Sequence, residues 1–427
     1  MILRYRYRIY PTETQKCSLA QLFGCVRVVW NNALEFCEFK YRIGEKKPKG
    51  SELQKVFITS AKKEKEREWL SNVSAVPLQQ SINDLDAAYG AFFKSCKGER
   101  KGKKVNPPRR KRRKSKQSAR FTSTGFSIKG SKVYLAKIGL LKTIWNRPLP
   151  SEPSSVTVIK DGADRYFLSF VVEVNLPQYP DNGESVGIDL GISTFATLST
   201  GEKIDAPKPL KKHLKRLKRA QKALSRKAKR SKRRERTRKR VAKIHAKIKD
   251  TRTDFLHKTS TKIIRENQTI VLEDLNVSGM MKNRKLSRAI SDVGWRSFRT
   301  MLETKSAMYG RDFQVISRWE PTSQRCSCCG EIGGKKALNI REWTCLFCGT
   351  NHDRDINAAK NIKVAGGHPE TQNGRGGKVS LSARKAHPTE ASTHPKVQQL
   401  SLLNLPGIIA LKGDEDVKQN AEHSQSR

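Results

Sequence analysis

The chain has 427 residues, with 87 Lys and Arg against 40 Asp and Glu, and a formal net charge of +47. Self-repulsion of that size calls for a polyanionic partner, and nucleic acid is the first expected. No run of 18 apolar residues occurs, and the opening MILRYRYRIY has no signal-peptide core, which points to a soluble, intracellular protein rather than a membrane or secreted one.

The length accommodates two or three domains and a sizeable core. Nine cysteines, five of them scattered (Cys17, Cys25, Cys37, Cys96, Cys328), fit a reducing compartment without disulfides. Residues 2–10 alternate as a strand, with Ile2, Arg4, Arg6 and Arg8 opposed to Leu3, Tyr5, Tyr7 and Ile9. Thr12 to Gln15 can cap a helix whose apolar residues recur at helical spacing to about Arg42. Two further helices are expected, Ser51–Leu70 and Leu78–Ser95, so that 15–95 forms a bundle. Trp30 and Phe92 are read as packing residues rather than base-stacking ones. From Lys97 a Gly/Pro-broken basic loop suits phosphate contact without sequence readout. Short strand patterns follow at Arg120–Ile128, Lys132–Leu135, Ser155–Lys160 and Tyr166–Val174, an antiparallel sheet or barrel that the N-terminal strand could join.

Val186 to Ile192 reads as an apolar strand with one carboxylate, Asp189, in its middle. A buried, unpaired Asp there costs several kcal/mol, in order of magnitude, unless a cation or proton compensates it. Gly187 and Gly191 would let something bulky approach the backbone. Lys208 to Lys249 holds 22 Lys and Arg residues and one acid, Glu235. It is read as a helical hairpin bending near residue 231 and facing phosphates, because intrahelical pairing cannot neutralise it. An amphipathic helix Phe255–Glu266 leads to a strand, Gln268–Leu275, that ends in Glu273. A helix Trp295–Tyr309 and a strand Phe313–Ile316 continue the alternation. In a mixed sheet, Asp189 and Glu273 on strands and Asp355 on a later helix can converge. Three such oxygen ligands suit Mg²⁺ or Mn²⁺ and phosphodiester hydrolysis by a two-metal route.

Two Cys-x-x-Cys pairs, Cys326/Cys329 and Cys345/Cys348, flank residues 330–344, a spacing that fits a structural Zn²⁺ held by four thiolates. Cys328 is a spare thiol beside the first pair. The second pair runs straight into His352-Asp353-Arg354-Asp355 and the helix former INAAKNI. The finger therefore reads as a clamp that fixes where a carboxylate points.

The segments GIDLGI (187–192), LEDLNV (272–277), PTSQRCSCCG (321–330) and REWTCLFCGTNHDRDINAAKNI (341–362) together resemble the TnpB family of transposon-encoded RNA-guided nucleases. The opening, residues 7–35, is similar to that family's N-terminus, and the likeness spans about 1–365. It implies an RNase H-like (RuvC) α/β nuclease domain over 181–320 and 350–365, containing the basic hairpin 208–250. A four-cysteine zinc finger over 321–349 would be inserted in it. It further implies a wedge-like β-barrel from 1–14 and 96–180 that carries an inserted helical recognition bundle, 15–95. The family's acids fall on Asp189, Glu273 and Asp355, with Asp353 the alternative within DRD, and its zinc ligands on Cys326, Cys329, Cys345 and Cys348. The implied cofactors are Zn²⁺ and Mg²⁺ or Mn²⁺. The implied partners are a guide RNA from the transposon end and double-stranded target DNA, in the cytoplasm of a prokaryote. A DNA strand-transfer enzyme would use the same acids and is the competing expectation. Residues 366–427, rich in Gly, Pro, Ser, Thr and His, read as a mostly disordered tail.

Overall fold

The computed structural model describes residues 1–100, 102–113, 116–337 and 339–367; the expected tail falls almost wholly outside them. The described chain divides into two compact units, residues 1–175 with 217–246, and residues 176–216 with 247–367. Among the described residues no helix is long and apolar enough to cross a membrane.

In the first unit, β1 (Ile2–Ile9) buries Leu3, Tyr5, Tyr7 and Ile9 and turns its arginines outward, as the alternation predicts. α1 (Glu13–Arg42) begins at a complete capping box between Thr12 and Gln15. The expected helix 51–70 is broken. A short α2 (Gly50–Gln54) passes into a π turn at 55–60 and 3₁₀ turns to residue 72. Leu53 and Ile58, both buried, lie five residues apart, a spacing that an α-helix would splay and a π turn brings to one side. α3 (Ala75–Cys96) packs on α1, and the hydroxyl of Ser81 donates to Val26 O at 3.1 Å.

Strands β2 (Gln117–Thr122), β3 (Phe126–Lys129), β4 (Lys132–Leu135), β5 (Gly139–Ile144), β6 (Pro153–Lys160) and β7 (Tyr166–Glu173) join β1 in the order β2-β6-β7-β1-β5-β4-β3, with every neighbouring pair antiparallel. The edge strands β2 and β3 are joined by three residues, Ser123–Gly125. Three residues reach only about 10 Å, so the two edges are drawn together and the sheet curls into a barrel-like form. Tyr7, Trp145 and Phe170 meet inside it at centroid separations of 4.6 to 5.8 Å. β5 is not apparent in the sequence because Leu140 and Ile144 are apolar yet exposed, which hides the alternation of the buried Leu141 and Thr143. Trp30 is buried, as expected, but it also has a second contact. Its indole N–H donates to Arg109 O at 3.1 Å, and Asn31 holds both backbone groups of Lys111. The basic loop is thereby tied across α1.

The second unit contains β8 (Ser185–Asp189), β9 (Ala196–Leu198), β10 (Lys203–Ile204), β11 (Thr269–Glu273) and β12 (Asp312–Ile316) in the order β10-β9-β8-β11-β12. The strands β8, β11 and β12 are parallel, and β9 and β10 run antiparallel. Two basic helices, α4 (Pro209–Ser225) and α5 (Lys232–Glu266), turn at 226–231, where the hairpin bend was expected. Phe255–Glu266 is not a separate helix but the last part of the 35-residue α5. After β11 come α6 (Val277–Met280), α7 (Ser287–Val293) and α8 (Trp295–Tyr309). The hairpin β13 (Glu342–Thr344) and β14 (Asn351–Asp353) then leads into α9 (Arg354–Ala365). The core between sheet and helices is built on Val186, Ile188, Phe195, Ile270, Leu272 and Phe298.

Candidate active site and four-cysteine cluster

Asp189 is the last residue of β8 rather than its middle, because the chain leaves the sheet at Leu190 and turns back with Gly191 N–H on Phe195 O. Glu273 is the last residue of the adjacent parallel strand β11, one step beyond the pair Leu272 and Ile188. Two parallel neighbours thus end side by side in carboxylates. α9 lies directly on β8, and Gly187 makes this possible. A Cβ there would stand 2.5 Å from Lys363 N and closer still to Ala359 O. The bulky object that the glycine admits is the backbone of α9, with Ala358 and Ala359 buried against the sheet.

α9 opens with Asp353 and Asp355, which have different surroundings. Asp353 is the N-cap: its Oδ1 accepts from Asp355 N and Ile356 N at 3.0 Å each, and its Oδ2 pairs with Lys203 at 2.6 Å. Those contacts, Lys203 above all, hold its carboxyl below the ordinary range despite partial burial. Asp355, in the first turn, pairs with Arg341 at 3.2 Å. Asp189 is partly accessible at its surface, but its carboxyl sits deep among protein atoms. Burial first, then the charges of Glu273 and Asp355, push it up to about 7. Glu273 is likewise raised by burial, opposed by the Thr322 hydroxyl, which donates to its Oε1 at 2.7 Å. The structure therefore places Asp189 within the field of Glu273 and Asp355 and gives Asp353 to the helix cap. Carboxylate oxygens are the hard donor type that divalent cations such as Mg²⁺ favour.

The sulfurs of Cys326, Cys329, Cys345 and Cys348 all lie within 4.8 Å of one another, and two pairs approach to 3.7 Å (Cys326 and Cys348) and 3.6 Å (Cys329 and Cys345). A tetrahedron with metal–sulfur bonds of about 2.3 Å has edges of about 3.8 Å, so the cluster is already the size of a four-thiolate metal site. Cys328 stays outside, contributing only its backbone N–H to Cys326 Sγ at 3.4 Å. His352 Nε2 lies 3.0 Å from the same sulfur and its ring packs on Trp343.

Asn357 and Asn361 connect the cysteine cluster to the acids. Both donate to Arg325 O, at 2.8 and 2.7 Å; Asn361 also reaches Thr322 O at 2.8 Å, and Asn357 Oδ1 accepts from Ser327 N. The segment before and within the first Cys pair is bonded to α9 by these amides. Sequence reasoning did not single out Thr322, Arg341, Asn357 or Asn361. Two amides at i and i+4 on the small-residue face of a buried helix were the available signal for the asparagines.

The family model described as "Probable transposase" matches residues 169–284, and the one described as "Cas12f1-like, TNB domain" matches 295–362. A third, "Helix-turn-helix domain", matches 1–46, where the structure has one strand and a single 30-residue helix. A "Putative RNA-guided DNA endonuclease" of Streptomyces pristinaespiralis is 44% identical over 85% of this chain and 89% of its own. The "Putative RNA-guided DNA endonuclease InsQ" of Escherichia coli K12 is 29% identical over 85% of this chain and 92% of its own. "TnpB-like protein L79" of Acanthamoeba polyphaga mimivirus is 26% identical over 52% of this chain and 45% of its own.

Proposed function

The chain belongs to the TnpB family of transposon-encoded proteins, and from that premise we propose that it is an RNA-guided DNA endonuclease. It hydrolyses target DNA beside a short flanking motif, at Asp189, Glu273 and Asp355. The observation that carries this reading is the repulsion at Asp189, a carboxyl held near pKa 7 by burial and by the two other acids. A binding module without catalysis would have no use for so costly a cluster. The order β10-β9-β8-β11-β12, with acids at the ends of two central parallel strands, supports an RNase H-like (RuvC) nuclease domain.

Asp189, Glu273 and Asp355 would hold Mg²⁺ or Mn²⁺. The bound ions would supply an activated water and charge neutralisation at the leaving oxygen. Thr322 orients Glu273, and Asp353 fixes the start of α9 so that Asp355 faces the site. Cys326, Cys329, Cys345 and Cys348 would hold a structural Zn²⁺ with no open coordination position. The seven-stranded sheet acts as the wedge-like domain with helices 13–96 as its recognition element. The basic segments contact a guide RNA and double-stranded target DNA by phosphate, with sequence choice delegated to RNA–DNA pairing.

The test uses purified protein stripped of RNA. It should not cut a defined DNA site until RNA from the adjacent transposon end is restored. Changing the guide segment should then move the cut to the matching sequence beside the same short motif. The competing strand-transfer reading is favoured by the description "Probable transposase". RNA-free protein that joins transposon ends with Mg²⁺ alone would establish that reading instead.

A further inference from the structure

Four thiolates around one Zn²⁺ leave negative charge in excess, and charge removed from water needs donors from the protein. Cys329 and Cys348 are exposed, whereas Cys326 is 0% exposed, so solvent does not serve its sulfur. Three N–H groups approach it instead: the backbone N–H of Cys328 at 3.4 Å, that of Cys329 at 3.5 Å, and the imidazole Nε2 of His352 at 3.0 Å. The imidazole makes the shortest of these contacts. With zinc bound, the proton between the two atoms belongs to Nε2, because a ligating sulfur is deprotonated. The ring is too near the sulfur to be a ligand itself. With bonds of about 2.0 and 2.3 Å, nitrogen and sulfur on one tetrahedral zinc stand about 3.5 Å apart, and the cysteines already supply four ligands. Packing sets the plane of the ring. His352 is buried and pairs across the β13–β14 hairpin with Trp343, ring centroids 4.7 Å apart, and Lys336 Nζ lies 3.5 Å from the Trp343 centroid. The next residue along the chain is Asp353, the N-cap of α9.

We propose that His352 is the hydrogen-bond donor that offsets charge on the buried Cys326 thiolate, retaining the zinc and tying the junction of β14 and α9 to a metal ligand. This rests on the structural-zinc reading above and adds to it a residue outside the four cysteines. Groups that hydrogen-bond a metal ligand commonly change metal affinity by about 10–100-fold when they are removed. His352 is thus a positioning residue, acting through Cys326 and α9 rather than on the substrate. Asn357 and Asn361 bond α9 to the backbone before and within the first Cys pair. His352 bonds the approach to α9 to a metal-bound sulfur itself, so loss of the ion is felt one residue before the cap.

The test uses the full chain and two readouts other than cleavage: zinc transfer to a chromogenic chelator, and the sulfur-to-metal charge-transfer band after exchange of Zn²⁺ for Co²⁺. His352→Phe keeps a ring against Trp343 and removes the donor. It should release zinc about tenfold faster. Its cobalt band should move to lower energy, because a sulfur relieved of a hydrogen bond gives up an electron more readily. His352→Gln puts an amide Nε2 where the imidazole Nε2 stood, and should keep the band and, within about twofold, the rate. Wild-type rate and band in His352→Phe would overturn the proposal. Faster release from both variants with unmoved bands would also overturn it, since lost packing alone gives that result. The wild type supplies a measurement that depends on no variant folding. Charge-transfer intensity for four thiolates supports the donor role, and intensity for three would make His352 a ligand and sink it. A wild type that retains neither zinc nor cobalt fails the zinc reading itself, a result distinct from each of these.

Discussion

Asp353 spends its carboxylate on two backbone N–H groups and on Lys203, whereas Asp355 has one oxygen on Arg341 and its charge on Asp189. Asp355→Ala should therefore abolish cleavage while leaving RNA and DNA affinity within about twofold, as should Asp189→Ala and Glu273→Ala. Asp353→Ala should instead remove a helix cap, lowering stability by about 1 kcal/mol and slowing cleavage without ending it. Thermal melts and single-turnover cleavage on the four variants separate the two roles; the reverse pattern at 353 and 355 would exchange them. Asp189 carries a pH signature as well. Its carboxyl is raised in the fold to about 7, against about 3.9 in an unfolded chain, so the fold prefers the protonated form. The stability this contributes is complete below about pH 4 and is lost as pH rises to about 7, on the order of 4 kcal/mol in all. In chelator, Asp189→Asn should melt well above the wild type at pH 8 and close to it at pH 4. A difference that does not depend on pH would contradict the assignment.

Helix α9 is held from two directions, by the close approach that Gly187 permits and by the amides of Asn357 and Asn361 on the segment leading into the first Cys pair. Gly187→Ala places a methyl against the backbone of α9, which must move away, and a cost of about 3 kcal/mol or more is expected. The variant should lose cleavage and melt at lower temperature, because the helix that carries Asp355 no longer seats on β8. Cys345→Ser acts from the other end. It should release one equivalent of zinc, measured by metal analysis, and reduce cleavage through the position of α9 while leaving guide RNA binding intact. Active protein that contains no zinc would refute the structural role of the cluster.

For the molecule as a whole, a formal charge of +47 makes affinity a matter of counterion release as much as of contact. The turn between α4 and α5 exposes Lys227, Lys229 and Arg230. Replacing all three by Gln should weaken guide RNA binding by about tenfold, equally for unrelated guide sequences. It should also flatten the dependence of log affinity on log salt by about 2, since each phosphate contact on a single strand contributes about 0.7. A salt dependence identical to that of the wild type would show that this turn does not touch RNA.

Local chemistry was enough for much of this. The alternation in residues 2–9, the capping box at Thr12, the helix 295–309 and the two Cys pairs are legible in the sequence because each is set by neighbours a few residues away. The acids stood out because a carboxylate closing an apolar strand is conspicuous wherever the strand ends. Long-range packing decided the rest. The π turn at 55–60 follows from which residues face α1 and α3, and β5 from partners on β1 and β4. The division of labour between Asp353 and Asp355 depends on Lys203 and Arg341, 150 and 14 residues away. Periodicity and spacing record what a segment prefers, while a hydrogen bond left unmade or a charge left facing another depends on which distant groups the fold has brought alongside.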